Sequence, residues 1–164
     1  MLKNGLWYGF FILAGFIAAC EKPEPYDEEA QSLKDEALIK AWSDSTHISL
    51  AKHESGVYYK IVSPGSGISQ IELTDTLTVL YQGKLLIDSV IGGTATTDTV
   101  GYKFVLESSI PGWRNGLPLI KEGGRIRLLV PSAQAYKNNN IVAGIPKNAV
   151  LDFDVQLKKV AKRK

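Results

Sequence analysis

The chain has 164 residues, a net charge of +2, 45% hydrophobic residues and one cysteine. That supplies one core and one domain, with length left for an export signal and a linker, and it excludes a disulfide framework. So small a net charge says little about partners, although Glu21 to Glu36 is acidic and Lys158 to Lys164 is basic. The basic end reads as a frayed, solvated terminus rather than a nucleic-acid contact.

The first twenty residues read as a targeting segment. Lys3 is a positive start, and Leu6 to Ala19 is an apolar run. It is shorter than the roughly 20 residues a membrane-spanning helix needs, and it suits the core of a signal peptide. Ile17-Ala18-Ala19-Cys20 resembles the bacterial lipobox. The resemblance implies a signal peptide over residues 1–19 and a lipid on Cys20, with diacylation giving stable anchoring. Residues 20–26, charged and proline-rich, read as a tether. Asp27 to Trp42 reads as a helix with acidic residues in its first turn and an apolar stripe of Ala30, Leu33, Ala37, Leu38, Ala41 and Trp42. The stripe either docks onto the domain that follows or pairs with a second copy, so monomer and dimer both stay open. Residues 27–54 are taken as this helix and a linker.

From Ser55 the period changes to two. Val57, Tyr59 and Ile61 alternate with Tyr58, Lys60 and Val62, and Ser63 to Gly67 turns the chain. A longer strand contains Leu77, Val79 and Tyr81 and is expected to run on toward Asp88. Ser89 to Gly101, rich in glycine and threonine, reads as a loop. Tyr102, Phe104 and Leu106 are the inward side of a short strand. Ile126, Leu128 and Val130 alternate with Arg125 and Arg127 in another, and a long loop runs from Pro131 to Asn148. Leu151, Phe153, Val155 and Leu157 alternate with Asp152, Asp154 and Gln156 in a last strand. Before the Arg125 strand lies IPGWRNGLPLIKEGG, Ile110 to Gly124, in which Ile110, Trp113, Leu117 and Ile120 share one helical face. Pro111 suits a first helical position, and Pro118 and Gly123-Gly124 limit the helix to two or three turns. One short helix among half-buried strands predicts an α+β fold, an antiparallel sheet with one apolar and one solvated face, the helix covering the first.

Candidate chemistry is sparse. His47 and His53 precede the first long strand with no cysteine or paired carboxylates nearby, so no metal set is spaced for ligation. No nucleophile elbow, phosphate loop or dinucleotide fingerprint is present. What remains is an excess of aromatic and apolar residues near strand ends and loops, with one acidic residue, Asp88, after Leu85-Leu86-Ile87.

These residues carry a resemblance. VLYQG (Val79 to Gly83), IDS (Ile87 to Ser89), YKFVL (Tyr102 to Leu106), the Ile110 to Gly124 segment, VPSAQAY (Val130 to Tyr136) and IPKNAVLDFDVQL (Ile145 to Leu157) follow one another as in the FKBP-type peptidyl-prolyl isomerases. The chain resembles that family from about Ser55 to Val160, so residues 55–164 are taken as an isomerase domain with a basic tail. The resemblance implies an antiparallel sheet half-wrapped around one short helix, with the pocket between them. By position it makes Trp113 the floor, and Tyr81, Tyr102, Phe104, Ile110 and Phe153 the walls. Tyr136 becomes a hydroxyl donor to a substrate carbonyl, Ile145 part of an overhanging loop, and Asp88 the acidic pocket residue. Ile87 stands where the family usually has phenylalanine, and Lys137 and three asparagines follow Tyr136 where a glycine is common.

The implied activity is peptidyl-prolyl cis-trans isomerisation of exported proteins, without metal or cofactor. A low-activity chaperone or binding module of the same fold is the alternative. The implied partners are proline-containing polypeptides and, through the lipid, a bacterial membrane, with no nucleic acid. The implied place is the cell envelope, on a periplasmic or surface face, and acidic residues after Cys20 suggest a surface or outer-membrane destination.

Overall fold

The Asp27 carboxylate accepts a hydrogen bond from the Ala30 N–H at 3.0 Å and so starts the first helix, α1 (Glu28–Thr46). The computed structural model describes residues 25–67, 70–86, 90–93, 100–139 and 142–163, with the side chains of 90–93 outside that description. Helix α1 continues a turn past Trp42, the expected end, and stops at His47, whose φ of 55° lets the Ile48 N–H return to the Ser43 carbonyl at 3.2 Å.

The strands follow as β1 (Ala51–Lys52), β2 (Tyr58–Ser63), β3 (Thr76–Leu85), β4 (Val90–Gly93) and β5 (Tyr102–Val105), then α2 (Pro111–Gly116), β6 (Arg125–Val130) and β7 (Leu151–Ala161). They form one seven-stranded sheet in the order β1-β2-β6-β7-β3-β4, every described pairing antiparallel. Strand β3 lies on β7 from Thr76 opposite Ala161 to Leu85 opposite Leu151. Its other edge is shared end to end by β5, along Thr76 to Val79, and β4, along Gln82 to Lys84. Strand β4 corrects the expectation of a loop from Ser89 to Gly101: its glycines weaken the local strand signal, and the open edge of β3 supplies the pairing.

The concave face carries Leu77, Val79, Ile126, Leu128, Leu151, Val155 and Leu157, each no more than 0% exposed, against Trp113, Leu117 and Ile120. The short helix can lie this close because Gly112 and Gly116 have no side chain. A Cβ on Gly116 would stand 2.6 Å from Leu128 Cδ2, and one on Gly112 would collide with Val130. The glycines that make the segment look broken are what let it seat.

The opposite face is not simply solvated, as the alternation in the sequence suggested. Helix α1 covers part of it with Ile39, which packs with Tyr58, Leu86, Leu129 and Val150 in a second buried cluster flanked by Trp42 and Leu50. The expected stripe is therefore corrected: Leu33 and Leu38 are 68% and 40% exposed, and the docked side is Asp35, Ile39 and Trp42. Of the alternating residues of β2, Ile61 is 40% exposed, while Tyr58 is buried and packs with Ile39 of α1. Ion pairs line the rest of this face. Arg127 holds Asp152 through two bonds of 2.9 and 2.6 Å and lays its guanidinium 4.5 Å from the Trp42 ring centre.

The basic tail is also better fixed than expected. Lys162 Nζ reaches the Gln70 carbonyl at 2.6 Å and Asp75 Oδ2 at 2.9 Å, tying the end of β7 to the turn before β3.

Candidate active site

Ile110 is the N-cap of α2, in extended conformation, and its carbonyl accepts from the Trp113 N–H at 3.0 Å. Pro111 at the first helical position needs no acceptor for an N–H and is already set for the helix. Helix α2 then tightens into a 3-10 turn at Leu117–Leu119, where Pro118 ends α-helical bonding. The result is a rigid six-residue platform that presents Trp113 to the sheet.

Three rings from three strands meet the indole. Tyr81 of β3 and Phe153 of β7 meet it nearly edge-on, with centroids 5.2 and 5.3 Å away, and Phe104 of β5 stands at 5.2 Å. Tyr102 stacks on Phe104 at 5.2 Å and approaches Tyr81 at 5.8 Å. Each such pair contributes about 0.5–1.5 kcal/mol beyond its buried area. Flat rings meeting at steep angles leave space between them, and here they bound a cavity of about 300 Å³. That is the lower end of the size at which pockets take small ligands.

The walls are these rings with Ile110 and Tyr136. Ser108 and Ser109 also line the cavity and were not foreseen. Their one sequence signal is that they sit directly before Ile110. The Ser109 hydroxyl is turned to the Leu106 carbonyl at 2.7 Å. Ile145 is not a lining residue; it is buried in the main core with Trp113 and Phe153, 8% exposed. Ile87, Asp88 and Cys20 lie outside the described residues, as do the signal segment and most of the tether.

Among the described residues the cavity's polar groups are neutral. Burial raises the Tyr81 and Tyr136 phenols above the usual tyrosine range, and the neighbouring Tyr102 adds to both effects. Both hydroxyls therefore keep their protons throughout the physiological range. The Ile110 N–H has no acceptor among the described residues, and the Trp113 indole N–H is buried without one. Neither histidine is near: His47 caps α1, and His53 Nδ1 is 2.8 Å from Ser55 Oγ. Among the described residues no three His, Cys, Asp or Glu side chains are grouped to hold a metal ion.

A curved antiparallel sheet on a short helix, with an aromatic cavity between them, defines a small α+β domain built around an apolar site. Comparison with known proteins makes this specific. The sequence pattern of the FKBP-type peptidyl-prolyl cis-trans isomerases matches residues 67–158, more than half of the chain. A probable FKBP-type peptidyl-prolyl cis-trans isomerase FkpA of Neisseria meningitidis is 35% identical over 134 residues, covering 82% of this chain and 48% of that protein. FkpA of Escherichia coli K12 is 40% identical over 103 residues, 63% of this chain and 37% of that one. The chain thus spans less than half the length of these relatives. The crystal structure of Escherichia coli FkpA superposes with a TM-score of 0.67 at 32% identity, over 81% of this chain and 62% of that one. A peptidyl-prolyl cis-trans isomerase structure from Pseudomonas syringae shares the fold, with a TM-score of 0.68 at 23% identity over 82% and 96% of the two chains. The chain belongs to the FKBP-type peptidyl-prolyl cis-trans isomerase family.

Proposed function

We propose that the chain is a peptidyl-prolyl cis-trans isomerase that binds the substrate proline ring in the Trp113 cavity. The observation that carries this reading is the set of aromatic rings that bounds a 300 Å³ space in a chain of this family. Rotation about an X–Pro bond breaks amide resonance against a barrier of about 18–20 kcal/mol and takes tens to hundreds of seconds unaided. No bond is made and no proton is lost, so the site needs to favour the twisted amide over both planar isomers.

An apolar cavity supports this in two ways. It holds the ring by burial, and it removes water from the amide, whose planar resonance form is the more polar one. Trp113 and Phe104 fix the ring. The Tyr136 hydroxyl and the Ile110 N–H orient the peptide carbonyls on either side, and Tyr81, Tyr102 and Phe153 close the wall. Asp88 is assigned, from its place in the sequence, the polar group beside Tyr81. Ile145 supports the floor from the core. Each ~1.4 kcal/mol gained in the twisted state gives about tenfold in rate.

The substrates on this reading are exported polypeptides. The Leu6 to Ala19 run and the Ala18-Ala19-Cys20 sequence support a cleaved signal, a lipid on Cys20 and a place on the envelope face of a bacterial membrane. Among the described residues no helix is long and apolar enough to cross a membrane.

The decisive test is cis/trans isomerisation of an Xaa-Pro tetrapeptide by the purified chain. Acceleration at least a hundredfold above an equal concentration of Trp113→Ala protein is expected, and no acceleration would sink the enzyme reading in favour of a binding module. Mass spectrometry of cells expressing Cys20→Ala decides lipidation: the acylated mass should vanish, and its persistence would exclude Cys20.

A further inference from the structure

Asp35 of α1 is 0% exposed, and among the described residues no lysine or arginine pairs with it. Its carboxylate is instead held by neutral donors. Gln31 Nε2 donates to Oδ1 at 2.7 Å, and the Ser132 N–H and hydroxyl both donate to Oδ2 at 2.7 Å. A buried carboxylate is costly unless its oxygens are satisfied, and an apolar residue would cover the sheet at lower cost. Covering the sheet therefore does not explain Asp35. What it holds does.

Ser132, itself 0% exposed, opens the 3-10 turn Ser132–Gln134 after β6. Its carbonyl accepts from the Ala135 N–H at 3.0 Å and the Lys137 N–H at 2.9 Å, the residues on either side of Tyr136. A continuous set of bonds, none longer than 3.0 Å, thus runs from Asp35 to the backbone that carries the cavity's hydroxyl. Lys137 adopts φ 54°, a conformation that residues other than glycine rarely take. Helix α1 and its entry compensate: Lys137 Nζ reaches Glu28 at 3.2 Å and lies 5.5 Å from the Tyr26 ring centre, and the Tyr26 hydroxyl meets Ser132 Oγ at 3.0 Å. From the other side Asn115 of α2 donates to Gln134 Oε1 at 3.2 Å, so the platform under Trp113 holds the same turn.

We propose that α1 is a positioning element of the cavity: Asp35, acting through Ser132, sets the turn that presents the Tyr136 hydroxyl. This rests on the isomerase reading above and gives the N-terminal helix a part in it. Asp35 is a positioning residue, since it lines no part of the cavity.

The test uses the full chain in detergent micelles and a double-mutant comparison. Asp35→Asn keeps the side chain's size and one acceptor oxygen. It is expected to lower kcat/KM about tenfold, with most of the loss in kcat. Tyr136→Phe should cost about the same, and the double variant should fall no more than twofold below Tyr136→Phe alone, because both act on one group. A multiplied loss near a hundredfold, or an Asp35→Asn protein with full turnover and only a lowered Tm, overturns the proposal. If Asp35→Asn does not fold, Ser132→Ala removes the hydroxyl's bonds to Asp35 and Tyr26 and keeps the backbone bond to Asp35; a threefold loss absent from the Tyr136→Phe background supports the proposal, and an undiminished rate overturns it. An activity-independent arm places 3-fluorotyrosine in the chain and follows its fluorine resonances. Asp35→Asn should shift or broaden the Tyr136 signal and leave Tyr81 in place. A shift in a chain that does not isomerise removes the isomerase reading alone; an unmoved signal in an active chain removes the positioning proposal alone.

Discussion

The two faces of the sheet are each covered by one helix, and they are held by different forces. On the concave face, α2 is six residues long and seats almost wholly through apolar contact, with Gly112 and Gly116 against β6. On the convex face, α1 has 19 residues yet buries only Asp35 and Ile39, and it relies on a buried carboxylate and a guanidinium laid on Trp42. The difference shows how a cavity survives in a well-packed domain. Helix α2 is too short to cover the end of the sheet where Tyr81, Phe104 and Phe153 converge. The rings there meet Trp113 tilted or edge-on, which leaves the volume between them unfilled. Helix α1 carries directional bonds, which suit a strut that must hold one turn in place.

The largest expected effect is on the concave face. Trp113→Ala should cost about 3–5 kcal/mol, the range for deleting a buried large aromatic, and lower kcat/KM at least a hundredfold. Trp113→Phe should retain most of the stability, since it also removes a buried N–H without an acceptor. Equal losses in chemical unfolding would show that apolar bulk alone cannot stand in for the indole.

Ile39→Ala comes next, at about 2–4 kcal/mol, because it empties the centre of the second cluster. Amide exchange should rise first in α1 and at Ser132, and the Trp113 environment should stay native by fluorescence. Simultaneous loss of both would mean that the faces fold as one unit.

Their pH responses should separate too. Glu36 on α1 is pulled down to about 2, first by its bond to Lys40 and then by Lys52. A depressed carboxylate contributes stability that is complete above its ordinary value and is lost as pH falls through the lowered one, here between about pH 4.5 and 2. Asp75, whose burial opposes its charge but is outweighed by the Glu72 N–H and Lys162, acts in the same direction. The raised cavity tyrosines have the opposite sign: their contribution holds below pH 10 and is lost above it. Turnover should therefore be flat from about pH 6 to 9 while Tm declines in acid. A step in turnover near pH 7 would require a titrating group that the tyrosines do not provide.

The smallest effect belongs to the Arg125–Asp154 pair, bidentate at 2.7 Å but with Arg125 half exposed. Arg125→Ala should cost under about 1 kcal/mol and should be sensitive to salt. A cost comparable to Ile39→Ala would mean that the ion-pair ladder, more than α1, stabilises the convex face.

Much of this was legible before the fold was known, and the exceptions have physical causes. Alternation along β6 and β7 marks Ile126, Leu128, Val130, Leu151, Phe153, Val155 and Leu157 as inward, and all are buried. The spacing of Trp113, Leu117 and Ile120 likewise marks one buried face. Helix α1 departs from its pattern because its most apolar stripe is not its buried side. Its docked side contains an aspartate, and only a partner 97 residues away, Ser132, shows why. Strand β4 and the rim serines were missed for a related reason: their roles are set by the β3 edge and by Trp113, not by neighbours in sequence.

By itself, then, the sequence determines the alternating strands, the two α-helices of the described residues and the family. It determines them because side-chain period and turn chemistry act over a few residues. The tertiary structure alone decides which side of α1 is buried, that the convex face is covered and that Asp35 holds Ser132, which opens the turn before Tyr136. Those outcomes depend on bonds between distant segments, and a buried charge declares its purpose only when its donors are in view.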